Sequence, residues 1–432
     1  GRDVNALMTA GQLINWGMPA LAADMLNALD CQRTLPLYLQ ASLLPKAERG
    51  ELVVKAIDAF PQFVRFPNTL EEVAALESIE ECWFARHLLA CFYYNKRSYG
   101  KAIALWQRCV EMSPEFADGW RGLAIHAWNK QHDYELAARY LDNAYQLAPQ
   151  DARLLFERDL LDKLSGVTPE KRLARLENNL EIALKRDDMT AELLNLWHLT
   201  GQADKAADIL ATRKFHPWEG GEGKVTSQFI LNQLLRAWQH LDAREPQQAS
   251  ELLHAALHYP ENLSEGRLPG QTDNDIWFWQ AVCANAQGDE TEAMRCLRLA
   301  ATGDRTINIH SYYNDQPVDY LFWQGMALRL LGEQHTAQQL FSEMKQWAKE
   351  MAKTSIEADF FAVSQPDLLS LYSDLQQQHK EKCLMVAMLA AAGLGEVAHY
   401  ESARAELMAI NPAWPKAALF TTVMPFIFSY VH

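Results

Sequence analysis

The sequence lacks the short motifs by which most enzymes are recognised. Its 432 residues contain no nucleophile elbow, no metalloprotease helix and no dinucleotide-binding fingerprint. His254 and His258 stand one helical turn apart, but no third ligand accompanies them. We therefore predict no catalytic residue, no metal site and no cofactor, and expect that this chain is not an enzyme.

Patterned cysteines, long apolar runs and excess positive charge are scarce as well. The seven cysteines form no CxxC pair, a usage typical of a reducing cytoplasm. The net charge of −15 disfavours nucleic acid as a partner. The apolar run at 417–431 contains Pro425 and is shorter than the ~20 residues of a membrane-spanning helix. We expect no membrane contact, and a final segment that covers the hydrophobic end of the last helix pair.

The first residues, Gly1-Arg2-Asp3, include neither an initiator methionine nor an export leader. We therefore expect a cytoplasmic fragment of a longer protein.

The sequence does contain an internal repeat. Residues 117–149 carry large and small side chains at the spacing of a tetratricopeptide unit. The preceding unit follows the same scheme, and the prolines that end the two units, Pro114 and Pro149, lie 35 residues apart. Small residues let antiparallel helices approach closely, while large residues fill the gap to the next pair. The predicted fold is an all-α solenoid of about ten such pairs; the alternative is an irregular helical bundle.

The quality of the repeat divides the chain into four predicted regions. Residues 1–80 are expected to form degenerate helical repeats, and residues 81–187 the best-matching tetratricopeptide repeats. Residues 188–350 are expected to form repeats with three long edge loops, and residues 351–432 the C-terminal repeats and a capping segment. A tetratricopeptide clamp for a peptide's terminal carboxylate is not expected, because the strongest unit offers only Arg121, Asn129 and Lys130.

The three long connections span residues 215–224, 259–273 and 303–319. Each follows the second helix of one pair and precedes the first helix of the next. In a solenoid, all three should therefore emerge along the same edge.

The first two connections are copies of each other at an offset of 43 residues. Glu222 and Lys224 flank a glycine in the first copy, as Glu265 and Arg267 do in the second. This arrangement suits an ion pair that braces the loop, and it also suits a polar ligand.

Aromatic side chains near the same connections make this edge a candidate binding site. Aromatic faces beside carboxylates and hydrogen-bond donors are what a polyol or a peptide stacks on. The candidate binding residues are His216, Trp218, Glu219, Glu222, Lys224, Glu265, Arg267, His310, Tyr312 and Tyr313.

Residues 216–225, 259–263 and 359–367 resemble the C-terminal part of a family of large bacterial proteins. In that family, an N-terminal domain of unknown function that is similar to sugar mutarotases precedes tetratricopeptide repeats. The resemblance covers most of residues 200–412, with Ser264 where the family has glycine and Arg267 where it has lysine. It implies a carbohydrate-related setting in which the missing N-terminal half holds any active site.

Two functions are compatible with these features. The first is a non-catalytic repeat scaffold for protein–protein or interdomain interaction, whose partner is another protein or its own mutarotase-like N-terminal domain. The alternative is the ligand-contacting accessory half of a carbohydrate-active enzyme, with a carbohydrate as the ligand. The repeat and the missing catalytic motifs favour the scaffold.

Overall fold

The computed structural model describes residues 2–29, 32–59, 66–308, 316–356 and 369–431. These residues form 23 α-helices, and no β-strand occurs among them. The predicted all-α solenoid of helix pairs is therefore confirmed. The chain forms two compact units: residues 1–161 with 359–372 make unit 1, and residues 162–358 with 373–432 make unit 2.

Unit 1 contains the first helices of the chain. They are α1 (Arg2–Asn15), α2 (Pro19–Leu29), α3 (Thr34–Ser42), α4 (Gly50–Asp58), α5 (Leu70–Glu77), α6 (Trp83–Asn95), α7 (Tyr99–Met112), α8 (Ala117–His126), α9 (Tyr134–Leu147) and, as far as Leu161, α10 (Ala152–Leu164). A π-helical segment, Ala127–Gln131, joins α8 to α9.

Unit 2 contains the remaining helices. They are α11 (Pro169–Glu177), α12 (Leu180–Ala183), α13 (Asp187–Leu199), α14 (Ala203–Thr212), α15 (Lys224–Asp242), α16 (Pro246–Ala256), α17 (Asn274–Ala286), α18 (Glu290–Ala300), α19 (Tyr320–Leu330), α20 (Gln334–Met351), α21 (Leu375–Leu394), α22 (Val397–Ile410) and α23 (Ala417–Val431).

Several helices begin at side chains that suit a helix N-terminus. Asp133 accepts a hydrogen bond from the Leu136 N–H at the start of α9, and Asp289 does the same for Glu292 at the start of α18, both at 2.9 Å. Thr69 and Glu72 form a complete capping box at α5. These contacts satisfy backbone donors that the first helical turn leaves without partners.

Size complementarity between neighbouring helices sets the spacing of the repeats. The Trp106 ring of α7 is fully buried and lies against Gly122 of α8, so closely that an added Cβ would overlap the ring. In unit 2, the fully buried Phe341 ring of α20 lies in the same way between Gly325 and Gly393. Large residues on second helices therefore pack into spaces left by glycines on first helices, as the repeat predicts.

The final helix, α23, does more than cover the end of the last pair. Its Phe420 ring stacks on Trp323 of α19 with centroids 5.8 Å apart, and its Phe426 ring lies 5.7 Å from Trp279 of α17. It also packs on α13, α15 and α21. It thus crosses the first helices of five successive pairs. We call the surface formed by the first helices of a unit its inner groove.

No helix of the described residues is long and apolar enough to cross a membrane.

Candidate functional site: the edge pocket

The long connections of unit 2 enclose a cavity, which we call the edge pocket. It is lined by residues from the first two connections, by Gln316 and Pro317 of the third, and by Lys416 and Leu419 near the start of α23. Its volume of about 430 Å³ lies within the range of about 300–1,000 Å³ that is common for ligand sites. Described residues of all three connections thus border one cavity.

The second connection is hydrogen-bonded to the first. The Asn262 carbonyl accepts the Phe215 N–H at 2.8 Å, and the Ser264 hydroxyl donates to the Phe215 carbonyl at 2.6 Å. Ser264 has a φ of 58°, in the left-handed region that favours glycine. The hydrogen bond to Phe215 gives a reason for serine here despite that backbone conformation.

Glu265 connects the two copies at the rim of the edge pocket. Its carboxylate accepts a hydrogen bond from the Gly223 N–H at 2.8 Å, at the N-terminus of α15. Gly223 precedes that helix with a φ of 75°. The positive end of the helix dipole stabilises a carboxylate in this place, so Glu265 fixes one wall of the pocket.

Arg267 braces the second connection from within. Its guanidinium forms an ion pair with the buried Asp273 and donates to the Leu257 carbonyl at 2.8 Å. In the second copy, Arg267 thus pairs with Asp273 and Glu265 accepts from the Gly223 N–H, so the ion pair expected between the two residues that flank Gly266 is replaced by these contacts. In the first copy, by contrast, the side chains of Glu222 and Lys224 are exposed.

A cluster of charged groups lies at the base of the edge pocket. Asp275 and Tyr320 line it and are 2% and 4% exposed. Lys416 forms an ion pair with Asp319, a residue 97 positions earlier in the chain. Two carboxylates thus share one ammonium group.

Burial and this charge balance set the protonation of the cluster. Burial raises the pKa of Asp275 to about 6, and the nearby Asp319 charge adds to the rise while Lys416 opposes it. Burial by itself lowers the pKa of Lys416, but the attraction of Asp319 and Asp275 outweighs it, so the net pKa is raised. The base of the pocket therefore holds a firmly charged ammonium beside a carboxyl group that titrates close to neutral pH.

Aromatic rings complete the walls. The Trp218 ring is half-buried and lies flat against Gly221, where an added Cβ would overlap it. Tyr259 packs edge-on against Phe229 with centroids 6.3 Å apart, and its hydroxyl accepts a hydrogen bond from Gln271 at 3.1 Å. Both rings line the cavity that Glu222, Glu265 and Asp275 also line.

The candidate residues divide into three groups. Trp218, Glu222 and Glu265 line the edge pocket. Four others lie on the connections but outside its lining: His216, Glu219, Lys224 and Arg267. The last three, His310, Tyr312 and Tyr313, lie outside the described residues.

The structure adds functional candidates that the sequence reading missed. Asp275 lies in the first turn of α17, where an acidic residue looks like an ordinary helix start. Lys416 precedes α23, far along the chain from the connections, and no local pattern links the two regions.

His216 illustrates a candidate with a mainly local role. Its backbone N–H and its Nδ1 both contact the Asp187 carboxylate, at 3.0 and 3.2 Å, while its ring is exposed. These contacts connect the first connection to the start of α13.

The helix pairs and the repeated size pattern define an all-α repeat scaffold. A family model described as tetratricopeptide repeat matches residues 87–152 and 234–305. The chain therefore contains tetratricopeptide-repeat regions, the first in unit 1 and the second in unit 2 beside the edge pocket.

Three solved structures are similar at low identity. The Naa15/Naa10 structure bound to HypK-THB is 14% identical over 88% of this chain and 52% of that one, with a TM-score of 0.38. The tetratricopeptide domain of P58(IPK) is 13% identical over 88% and 97%, with a TM-score of 0.24. Cut9-Hcn1 is 13% identical over 99% and 82%, with a TM-score of 0.25. This chain thus spans about half the length of the first of them.

Proposed function

We propose that the chain is a non-catalytic, cytoplasmic repeat scaffold that binds a partner at the edge pocket. The partner is a second protein, or the mutarotase-like N-terminal domain of a longer bacterial protein of the kind it resembles. The observation that carries this proposal is the edge pocket itself, because duplicated connections hold aromatic and acidic side chains around one cavity.

The charges of the edge pocket favour a positively charged group from the partner. Glu222, Glu265 and Asp275 line the cavity, whereas its lysine, Lys416, is already paired with Asp319. A lysine or arginine side chain would be attracted to these carboxylates and could stack on the Trp218 ring. An anionic ligand would meet repulsion.

The filling of the inner groove in unit 2 also supports binding at the edge. Tetratricopeptide arrays have two extended surfaces, the inner groove and the edges and outer face formed by connections and second helices. In unit 2, α23 already covers first helices with Phe420 and Phe426. A partner of this unit would therefore bind at its edge.

Replacing Trp218 with alanine is expected to reduce capture of the partner at least about 10-fold, because the substitution removes the ring wall of the pocket. The measurement is a pull-down with the immobilised chain, quantified by mass spectrometry. Trp16→Ala serves as the matched control, since Trp16 is 68% exposed and belongs to unit 1. Added arginine amide should compete with the same partner. Equal capture by wild type and Trp218→Ala would contradict the proposal.

The alternative function is contact with a carbohydrate substrate in a carbohydrate-active enzyme. The half-buried Trp218 beside Glu265 and Asp275 favours it, because sugar rings stack on indole and their hydroxyls donate to carboxylates. Calorimetry with a sugar panel distinguishes the two functions. Saturable sugar binding that Trp218→Ala abolishes and arginine amide does not affect would favour the carbohydrate, and hydrolysis of a glycoside by this chain would refute the non-catalytic assignment.

A further inference from the structure

A short segment of the chain, Leu369–Tyr372, lies in the inner groove of unit 1. Asn129 bonds its backbone twice: the side-chain Nδ2 donates to the Ser370 carbonyl at 2.8 Å, and the side-chain Oδ1 accepts the Tyr372 N–H at 2.9 Å. We call Leu369–Tyr372 the groove segment.

The two bonds from Asn129 have the geometry of strand pairing. In an extended chain, the carbonyl of one residue and the N–H two residues later point to the same side, and a neighbouring parallel strand bonds both through one residue. The Asn129 carboxamide, with one acceptor and a donor group, takes the place of that residue. Such contacts recognise the backbone and are indifferent to most side chains.

Further donors on the same surface also bond the backbone. Arg121 Nη2 donates to the Leu369 carbonyl at 2.6 Å, and Trp128 Nε1 donates to the Tyr372 carbonyl at 2.9 Å. The Arg121 guanidinium is held in place by Glu157, with Nε–Oε2 and Nη2–Oε1 distances of 2.7 and 2.5 Å. The groove is therefore pre-organised by a buried ion pair within unit 1.

Two side chains of the groove segment are also bound. The Leu371 side chain is buried, with 8% of its surface exposed. The Lys130 ammonium lies 5.6 Å from the centroid of the Tyr372 ring and 4.4 Å from that of Tyr99, so one cation contacts two rings. The groove segment thus presents a buried aliphatic residue followed by an aromatic one.

The π-helical segment explains how these residues share one surface. Trp128, Asn129 and Lys130 are consecutive, and all three contact the groove segment. Consecutive residues of a regular α-helix point about 100° apart, whereas the wider π turn reduces that angle. Such π-helical turns are frequent at functional sites.

We propose that unit 1 carries a binding site for an extended peptide, that the groove segment is its internal occupant, and that a partner segment with an aliphatic–aromatic pair binds by displacing it. This site is separate from the edge pocket. Its hydrogen bonds come from Asn129, Trp128 and Arg121, which belong to the first tetratricopeptide region.

Internal occupancy weakens the partner's apparent affinity. The groove segment is tethered to the site, so it competes at an effective concentration in the millimolar range. The apparent affinity of a partner is therefore reduced by the fraction of molecules in which the groove segment occupies the site. Weakening the groove segment should therefore strengthen binding of an added peptide by about 10-fold or more.

Fluorescence polarisation with a labelled peptide of residues 369–374, LSLYSD, tests this proposal on the full chain. Two variants weaken the internal occupant: the double substitution Leu371→Asp, Tyr372→Ala, and the single substitution Tyr372→Pro, which removes the N–H that Asn129 accepts. Both are expected to bind the peptide at least about 10-fold more tightly than wild type. Adding Asn129→Ala to either variant should abolish the gain.

The peptide supplies a control that leaves the protein unchanged. A peptide methylated at the tyrosine nitrogen should lose binding, whereas replacement of its serine at position 370 by alanine should have no effect, because Ser370 contributes its carbonyl. Trp218→Ala should leave the peptide affinity unchanged, which separates this proposal from that for the edge pocket. Equal affinity of wild type and both variants, undiminished binding of the methylated peptide, or no binding by the variants up to about 1 mM would overturn the proposal.

Discussion

Replacing Trp106 with alanine is expected to lower the free energy of unfolding by about 3–5 kcal/mol. Trp106 is among the largest fully buried side chains, and its ring fills the space that Gly122 leaves on the next helix. Removal of the ring leaves a cavity between two helices of the best-matching repeats, and the rigid helices can only partly collapse into it. Urea denaturation followed by circular dichroism measures the loss.

A second substitution tests whether size complementarity is the cause. Gly122→Ala should destabilise the wild type by about 1–3 kcal/mol, because its Cβ would overlap the Trp106 ring. In the Trp106→Ala background it should stabilise by up to about 1 kcal/mol, since alanine is the better helix former and the ring is gone. Gly100→Ala is the control, because an added Cβ there meets no neighbouring atom within 4 Å. The same sign for Gly122→Ala in both backgrounds would contradict the packing account.

Replacing Lys416 with methionine is expected to lower the free energy of unfolding by about 3–5 kcal/mol at about pH 8. The substitution leaves Asp275 and Asp319, which are 2% and 5% exposed, without the ammonium that they share. A buried carboxylate without a neighbouring cation strongly destabilises the fold when it is ionised, but only slightly when it is protonated. The loss measured by urea denaturation should therefore shrink when the pH is lowered to about 5.

The direction of the pH effect follows from Asp275. Its pKa is about 6 in the folded chain, above the value of 3.8 of an unburied aspartate, so the folded state binds more protons between these values. The contribution of Asp275 to the free energy of unfolding is greatest below about pH 3.8. It decreases by up to about 3 kcal/mol as the pH rises through about 6. Asp275→Asn should remove this penalty and stabilise the chain near pH 8, with little effect near about pH 4. A Lys416→Met loss that grows on acidification would refute this account.

The helix pairs could be predicted from the sequence because their packing is local. Trp106 and Gly122 lie in adjacent helices of the repeat, and the alternation of large and small residues follows directly from their contact. The tetratricopeptide model matches residues 87–152 and 234–305, which include the units with the clearest pattern. The two compact units were not anticipated, because the size pattern continues on both sides of their boundary.

The edge pocket could be predicted only in part. The order of the connections along the repeats predicts that they lie along one edge. The duplication of the first connection in the second singles out Glu265 and Arg267 as candidate residues. Whether these charges face a ligand or brace a loop depends on which partner lies nearest, and the sequence leaves both open. Lys416 could not be predicted, because its contact with Asp319 depends on the course of the chain over 97 residues.

The occupants of the inner grooves could not be predicted either. A clamp for a terminal carboxylate needs more groups than Arg121, Asn129 and Lys130. In the structure, Arg121 and Asn129 donate to backbone carbonyls of the groove segment, and Lys130 contacts its Tyr372 ring. None of these contacts requires a terminal carboxylate. Similarly, the apolar run 417–431 indicates a buried helix but not the first helices on which α23 lies. Such contacts join segments far apart in sequence, and no periodic pattern records them.

The central functional claim is that a partner binds at the edge pocket. Photo-cross-linking inside the producing cells tests it most directly, with benzoylphenylalanine placed at Leu268, which lines the pocket and is 42% exposed, or at Leu147, which is equally exposed at 43% on α9. We predict a covalent adduct with a partner protein, or with the chain's own N-terminal domain, from position 268 alone, and loss of that adduct in Trp218→Ala. Adducts from position 147 but none from position 268 would contradict the claim.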